Sequence, residues 1–235
     1  MRVEPQPATL ASCVIPCLNE ASTIGACLRQ FERLPGSWEL IVADSGSVDE
    51  TRHIASATPG VRLVAAPRGR GAGMNAGAAS ASGDILIFLH ADTLLPIDAW
   101  QLIVDALADT RVSAVAFHLR LDRPELRYRF VSLASRIRMP IQRTFFGDQA
   151  IAVRRADFEA IGGFRELALM EDIDLSRRLR KSGRLATLPA HVTTSARRFQ
   201  RHGVVRTLLF MTGLQIAYSL GVPAERLARR YAAVR

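Results

Sequence analysis

Two stretches of the chain put acid–base and metal-binding residues at spacings that could do chemistry. In "DILIFLHADTLLP", Asp84 to Pro96, an apolar run from Ile85 to Leu89 stops at His90-Ala91-Asp92. On an extended chain residues i and i+2 share a face, so this spacing aims an imidazole and a carboxylate at one point. A divalent cation bridging a diphosphate needs only one or two protein carboxylates, because phosphate and water supply the rest. Asp92 has the chemistry of that ligand. His90 either joins it, which suits Mn²⁺ better than Mg²⁺, or hydrogen-bonds a substrate. A strand-end Asp also caps helices, and that use competes. In "LALMEDIDLSRRLRKSG", Glu171, Asp172 and Asp174 crowd the start of a helix, with Arg177, Arg178, Arg180 and Lys181 toward its end. The helix dipole alone explains that order. The pair Glu171-Asp172 also places two carboxylates where backbone N–H groups would orient an ionised general base.

The basic, glycine-rich loop "PRGRGAGMNAGAASASG" lies between them and the N-terminal elements. Its Gly71 to Gly77 part superficially matches a dinucleotide fingerprint, but it follows the third strand of the chain, not the first. A tight turn into a helix is the plain alternative. Arg68 and Arg70 beside a helix N-terminus make the better reading, a phosphate cradle.

The elements that must position these residues alternate. Ala11–Ile15 reads as a strand closed by Pro16, followed by a helix over 22–33. Strands follow at 40–43, 61–66 and 85–89, separated by helices at 50–57 and 74–81. Further on, 97–107 reads as a helix and 112–119 as a strand. The stretch 125–138 reads as a basic helix ending before Pro140, and "FFGDQAIAVRR" as a short strand entered through Gly147. Helices at 156–161 and 172–181 are each stopped by glycine. Strand–helix alternation with short connections predicts a parallel sheet covered by helices. Ligands of such sheets gather beyond the carboxyl ends of the strands. Asn19, Asp44, the loop from Arg68 to Asn75, and His90 with Asp92 all fall there.

Composition narrows the partners. The chain has 235 residues, 49% hydrophobic, with a formal charge of +9. Lys181 is its only lysine; the other basic residues are arginine, which chelates phosphate and carboxylate. Acidic ligands, anionic lipid or nucleic acid fit that balance. No zinc module, RNA-recognition signature or aromatic series supports nucleic acid, and aromatics are only 6%. Cys13, Cys17 and Cys27 have neither disulfide nor zinc spacing, and "MRVEPQPATL" holds no long apolar segment. Reduced thiols of a cytoplasmic protein are expected. Residues 207–222 carry no charge and are flanked by arginines. They read as a helix packed on the domain, on a second copy, or on the inner face of a membrane.

With these motifs assembled, the chain from about Cys13 to Pro189 resembles the family 2 glycosyltransferases of the GT-A superfamily. "VIPCLNE" matches that family's opening strand, "DSGSVD" its nucleotide motif, and "NAGAASASGDILIFLHAD" its Gly/Asn-rich helix and metal motif. Gly162 to Phe164 and "EDIDLSRRL" close the set. The resemblance implies an α/β fold: a GT-A (Rossmann-like), mostly parallel sheet flanked by helices over residues 1–196. A C-terminal helical extension over 197–235 would follow. It further implies that Pro16, Asn19, Glu20 and Asp44 hold the nucleotide of a nucleoside-diphosphate sugar. Asp92 would meet a Mg²⁺ or Mn²⁺ ion and the diphosphate, and Asp172 would act as general base in an inverting transfer to a hydroxyl acceptor, small or lipid-linked. Ser45 replaces an acidic residue of the nucleotide motif, and His90 replaces the first Asp of the metal motif. A subgroup sharing the "F-L-H-A-D-T" form is associated with arsenosugar biosynthesis. "SARRF" departs from the "Q-x-x-R-W" signature of processive relatives, which argues against processive synthesis; Arg198 stays a candidate for the diphosphate. A non-catalytic sugar-nucleotide-binding protein is the alternative. A nucleotidyltransferase would want a basic glycine loop after its first strand, where "VIPCLNE" stands.

Overall fold

The apolar runs become strands and the alternating segments helices in a computed structural model that describes residues 9–232. The N-terminal residues 1–8 and the last three residues lie outside the described residues. In chain order the first half is β1 (Ala11–Cys17), α1 (Ala21–Arg29), β2 (Trp38–Asp44), α2 (Thr51–Ala57), β3 (Val61–Ala65), α3 (Arg70–Ala79), β4 (Ile85–Phe88), the short β5 (Thr93–Leu94) and α4 (Ala99–Ala108). The second half is β6 (Val112–Leu121), α5 (Leu126–Gln142), β7 (Ile151–Arg154), α6 (Arg155–Ala160), α7 (Glu171–Ser182), β8 (Arg184–Thr194), α8 (Arg197–His202), α9 (Val204–Ser219) and α10 (Ala224–Ala232).

The eight strands form one sheet in the order β3-β2-β1-β4-β7-β6-β8-β5. The run β3-β2-β1-β4 is parallel, as the alternation predicts. Then β7 pairs antiparallel with both β4 and β6, while β8 runs parallel to β6, so the sheet is mixed. This topology collects the site. The carboxyl ends of β1, β2 and β4 share one rim, and reversal of β7 brings its amino end, with Gly147 and Asp148 just before it, to the same rim. The carboxyl ends of β6 and β8 arrive there too, carrying Leu121 and Thr194.

Side chains alternate across the sheet and build a core on each face. Cys13, Ile15 and Leu28 pack with Ile87, Ile103 and Phe117 on one side. Val14, Met74 and Phe88 pack with Phe158, Phe164, Leu175 and Leu179 on the other. Burying Leu175 and Leu179 fully on one stripe of α7 stabilises by roughly 1.5–3 kcal/mol each.

The structure corrects four element readings. The predicted helix over 74–81 begins at Arg70, so Gly71, Gly73 and Gly77 belong to its body and not to a loop. They are there for close approach: a Cβ on Gly77 would overlap Val14, and one on Gly71 would crowd the Arg165 carbonyl at 3.2 Å. Pro140 does not end α5, which runs to Gln142 and stops at Arg143 in the left-handed conformation. The strand β8 was not anticipated. His90 and Asp92 do not sit on an extended chain: they belong to a turn closed by the Thr93 N–H donating to the His90 carbonyl at 3.1 Å.

Candidate active site

One cavity of about 430 Å³ opens on this rim. It gathers Pro16, Glu20, Arg70, His90, Asp92, Glu171, Asp172 and Arg198 among its walls. The His90–Thr93 turn thus brings imidazole and carboxylate into one space, though by another route than strand alternation. Asn19, Asp44, Arg68 and Asn75 are not among the lining residues.

Asn19 and Asp44 build the nucleotide-side wall from behind. Asn19, at φ 55°, accepts from the Val48 N–H at 2.9 Å through its side chain and donates its own N–H to Ser47 Oγ. Asp44 is buried and accepts the N–H groups of Gly46 and Ser47. Together they clamp the loops after β1 and β2 to each other and leave Ser45, which lines the cavity, presented. Asn75 bonds both ways to the Phe164 backbone, at 2.8 and 2.9 Å, and so locks the Gly163-Phe164 turn against α3.

The start of α7 divides its three carboxylates by task. Asp174 faces the protein, paired with Arg178 at 2.7 Å and Arg165 at 3.3 Å. Glu171 is buried and paired with Arg70 at 3.3 Å. Burial raises its carboxyl, and the Arg70 guanidinium counters that effect. Asp172 enters the cavity with both oxygens oriented: Oδ2 accepts the Gly147 N–H at 2.7 Å and Oδ1 the Ile173 N–H at 2.8 Å. A carboxylate has about four lone-pair positions, so each oxygen keeps one for a further proton donor. Met170, just before the helix, holds φ 68°, a conformation that costs on the order of 1 kcal/mol and aims the first turn at the cavity.

His90 is half-buried, and its buried Nε2 has no hydrogen-bond partner among the described residues. Desolvation first, then the charges of Arg70, Arg198 and Arg197, lower its pKa to about 3, so the imidazole is neutral and can act as a ligand. Gly147 makes room for it, since a Cβ there would stand 2.8 Å from Nε2. Asp92 lies beside it, its carboxyl raised by burial while Arg197 opposes that shift. The described residues include no cluster of three or more His, Cys, Asp or Glu able to hold an ion alone. An imidazole nitrogen without a partner next to a carboxylate nonetheless fits a divalent cation that takes its other ligands from a diphosphate. Asp92 and His90 are the residues that would hold it.

Four lining residues escaped the reading of the sequence. Arg197 reaches from α8 to Glu20 Oε1 at 2.7 Å and Asp92 Oδ2 at 3.3 Å, bridging two carboxylates. Asp148, ahead of β7, has its pKa raised to about 6 by burial, with Arg138 opposing and Asp172 and Asp92 adding to the rise. Arg138 stacks on the Phe146 ring at 3.9 Å and donates to Gln215. Tyr231 of α10 lies under the Arg198 guanidinium at 5.0 Å. Only Asp148 left a sequence signal, a carboxylate between a glycine and a strand; the others depend on β8 and the C-terminal helices. The three cysteines are buried and unpaired with one another. Burial pushes the Cys27 thiol up to about 12, which leaves no thiolate for chemistry.

Known proteins share the sequence pattern and the fold. The chain is 29% identical over 198 residues to a PGL/p-HBAD biosynthesis glycosyltransferase of Mycobacterium bovis, covering 80% of this chain and 77% of the relative. Its fold matches a mannosyltransferase of Pyrobaculum calidifontis in complex with GDP-Man and Mn²⁺. There the TM-score is 0.65 at 22% identity, over 98% of this chain and 71% of that one. It also matches S. aureus TarS in complex with UDP-GlcNAc, with TM-score 0.63 at 15% identity, over 79% of this chain but only 58% of that one. The sequence model of Glycosyl transferase family 2 matches residues 12–165, well over half the chain. On that match, made over the segment that carries the β1, β2 and β4 rim, the chain belongs to glycosyl transferase family 2.

Proposed function

We propose that the protein moves a sugar from a nucleoside-diphosphate sugar to a hydroxyl acceptor with inversion, using Asp172 as general base and a Mg²⁺ or Mn²⁺ ion at Asp92 and His90. The observation that carries this reading is Asp172 itself, both oxygens fixed by backbone N–H groups, in one cavity with Asp92, His90 and Arg70. The cation, when bound, neutralises charge growing on the departing diphosphate. Arg70 and Arg198, both in the cavity wall, supply further positive charge. Pro16, Glu20 and Ser45 border the donor's nucleotide, and Asn19 and Asp44 hold that border in shape. Asp172 takes the acceptor hydroxyl proton as the hydroxyl attacks an oxocarbenium-like carbon, from the face opposite the leaving group. Asn75 holds the Gly163-Phe164 turn against α3 beside this site. The likeness of "F-L-H-A-D-T" to the arsenosugar-associated subgroup makes an arsenosugar precursor the first acceptor to assay.

The test is thermal unfolding with nucleoside diphosphates and their sugars, UDP-GlcNAc and GDP-Man among them, with and without Mn²⁺. A ligand at 100 times its Kd stabilises by about 2.7 kcal/mol. For a chain of this size that raises Tm by roughly 5–10 °C. The rise should need Mn²⁺ or Mg²⁺. If no nucleotide shifts the midpoint under either condition, the reading is wrong.

A further inference from the structure

The exposed apolar surface is concentrated on two neighbouring helices. Of the twelve large hydrophobic side chains exposed among the described residues, seven lie on α5 and α9 and an eighth, Leu220, caps α9. On α5 they are Leu126, Phe130, Leu133 and Ile137, on α9 Val205, Leu209 and Ile216, with Leu220 one position past its end. The spacings are four, three and four on α5, and four, seven and four from α9 to Leu220; each set is one stripe of a helix. Both helices also have an inner face: Tyr128 and Val131 cluster with Val204 and Leu208, and Arg138 donates to Gln215. These tie points advance in the same direction along both helices, so the two run side by side in parallel. At 100° per residue, the exposed stripes are turned away from the shared seam in opposite senses, which puts them on the same side of it. The result is two apolar stripes presented on the same side of the molecule.

We propose that this α5–α9 face docks on an anionic bilayer surface. Charge selects the occupant. Neither α5 nor α9 contains an acidic residue, and exposed Arg129, Arg136 and Arg206 flank the stripes. A second copy meeting the same face across a twofold axis would set these arginines against their own equivalents in a chain of net charge +9, whereas anionic headgroups complement them. No helix among the described residues is long and apolar enough to cross a membrane, so the contact lies in the interface plane. The face is also joined to the site. A groove of about 380 Å³ on the outer side of α5, lined by Phe130, Leu133 and Ile137, shares Ala134 and Arg138 with the catalytic cavity. Docking would therefore set an entrance to the cavity against the membrane.

Sedimentation with phosphatidylglycerol-containing vesicles, against pure phosphatidylcholine vesicles, tests the proposal on the full chain. The wild type should bind the anionic vesicles only, and less as salt is raised. The double substitution Leu133→Glu with Leu209→Glu, at positions 52% and 70% exposed, should lower the partition constant at least about tenfold. Its thermal midpoint should stay at the wild-type value. Ile97→Glu, 63% exposed and elsewhere, should leave partitioning unchanged. Absence of vesicle binding overturns the proposal. So does a solution dimer that the double substitution dissociates, which would assign the face to a second copy. Nucleotide-induced stabilisation, read on the same variants, reports on the donor site separately, so failure of docking and failure of the transferase reading are told apart.

Discussion

Asp172 and Asp148 both face the cavity, and their surroundings set them apart. Asp172 receives two backbone N–H groups, which orient its carboxylate in the cavity. Asp172→Asn should preserve nucleotide binding and lower transfer by about 10²- to 10⁴-fold, read as kcat against the thermal shift with donor. Transfer at wild-type rate would remove the residue from the role. Asp148 has few compensating donors and sits near two other carboxylates, so its folded-state pKa of about 6 lies above the unfolded value. Its contribution to stability is therefore complete below about pH 4 and is lost as pH rises through 6. Asp148→Asn should stabilise the protein without ligand at pH 7 by on the order of 2–3 kcal/mol and leave it unchanged at pH 4, as urea titrations at the two pH values would show. Arg197 supplies a third case. It holds the carboxylates of Glu20 and Asp92 together, at a position about half exposed. An exposed pair of this kind contributes no more than about 1 kcal/mol. Arg197→Gln should thus raise Mn²⁺ affinity in the absence of nucleotide by only about two- to fivefold, measured by manganese titration.

Between elements, what holds the site in place is close packing more than polar contact. The glycines of α3 let the helix lie on β1 so that Arg70, its first residue, reaches Glu171 on α7. Gly77→Ala would force the helix off Val14 and should destabilise by about 1–3 kcal/mol. Gly213, in α9 with nothing within 4 Å of its missing Cβ, gives the opposite sign: Gly213→Ala should stabilise by roughly 0.5–1 kcal/mol. Thermal melts of the pair separate packing from propensity. The same elements show what the sequence could tell. The strand–helix alternation through β4 was legible because each strand is a short, mostly apolar stretch and each connection is short. The body of α3 was not, since glycine normally argues against a helix interior and only the facing β1 side chain explains it. Likewise β8 escaped because one edge is covered only by the two residues of β5 and Pro189 interrupts its pattern.

At the scale of the molecule, the C-terminal helices belong to the site that they follow. A sequence division at 196–197 treats them as an extension, yet Leu214 and Leu227 share a buried cluster with Phe146, Leu169, Met170 and Ile173, residues that border Gly147 and Asp172. Met211, Gln215 and Tyr231 complete the cavity wall. Such long-range closure leaves little local trace: the motifs that announce Asp44, Asp92 and Asp172 are short, whereas the partners of Arg138 and Arg198 lie far along the chain. The two faces of α9 therefore have separate duties, the inner one structural and the outer one free. Ending the chain at residue 203 would expose the apolar surface of Phe146 and Ile173 and release the first turn of α7, where Asp172 gets its orientation. The shortened protein should unfold at lower temperature and lose stabilisation by nucleotide and Mn²⁺, while Leu209→Glu, confined to the outer face, should keep both. If the shortened chain still melted cooperatively and still responded to nucleotide, the helices would be an accessory to the cavity and not part of its wall.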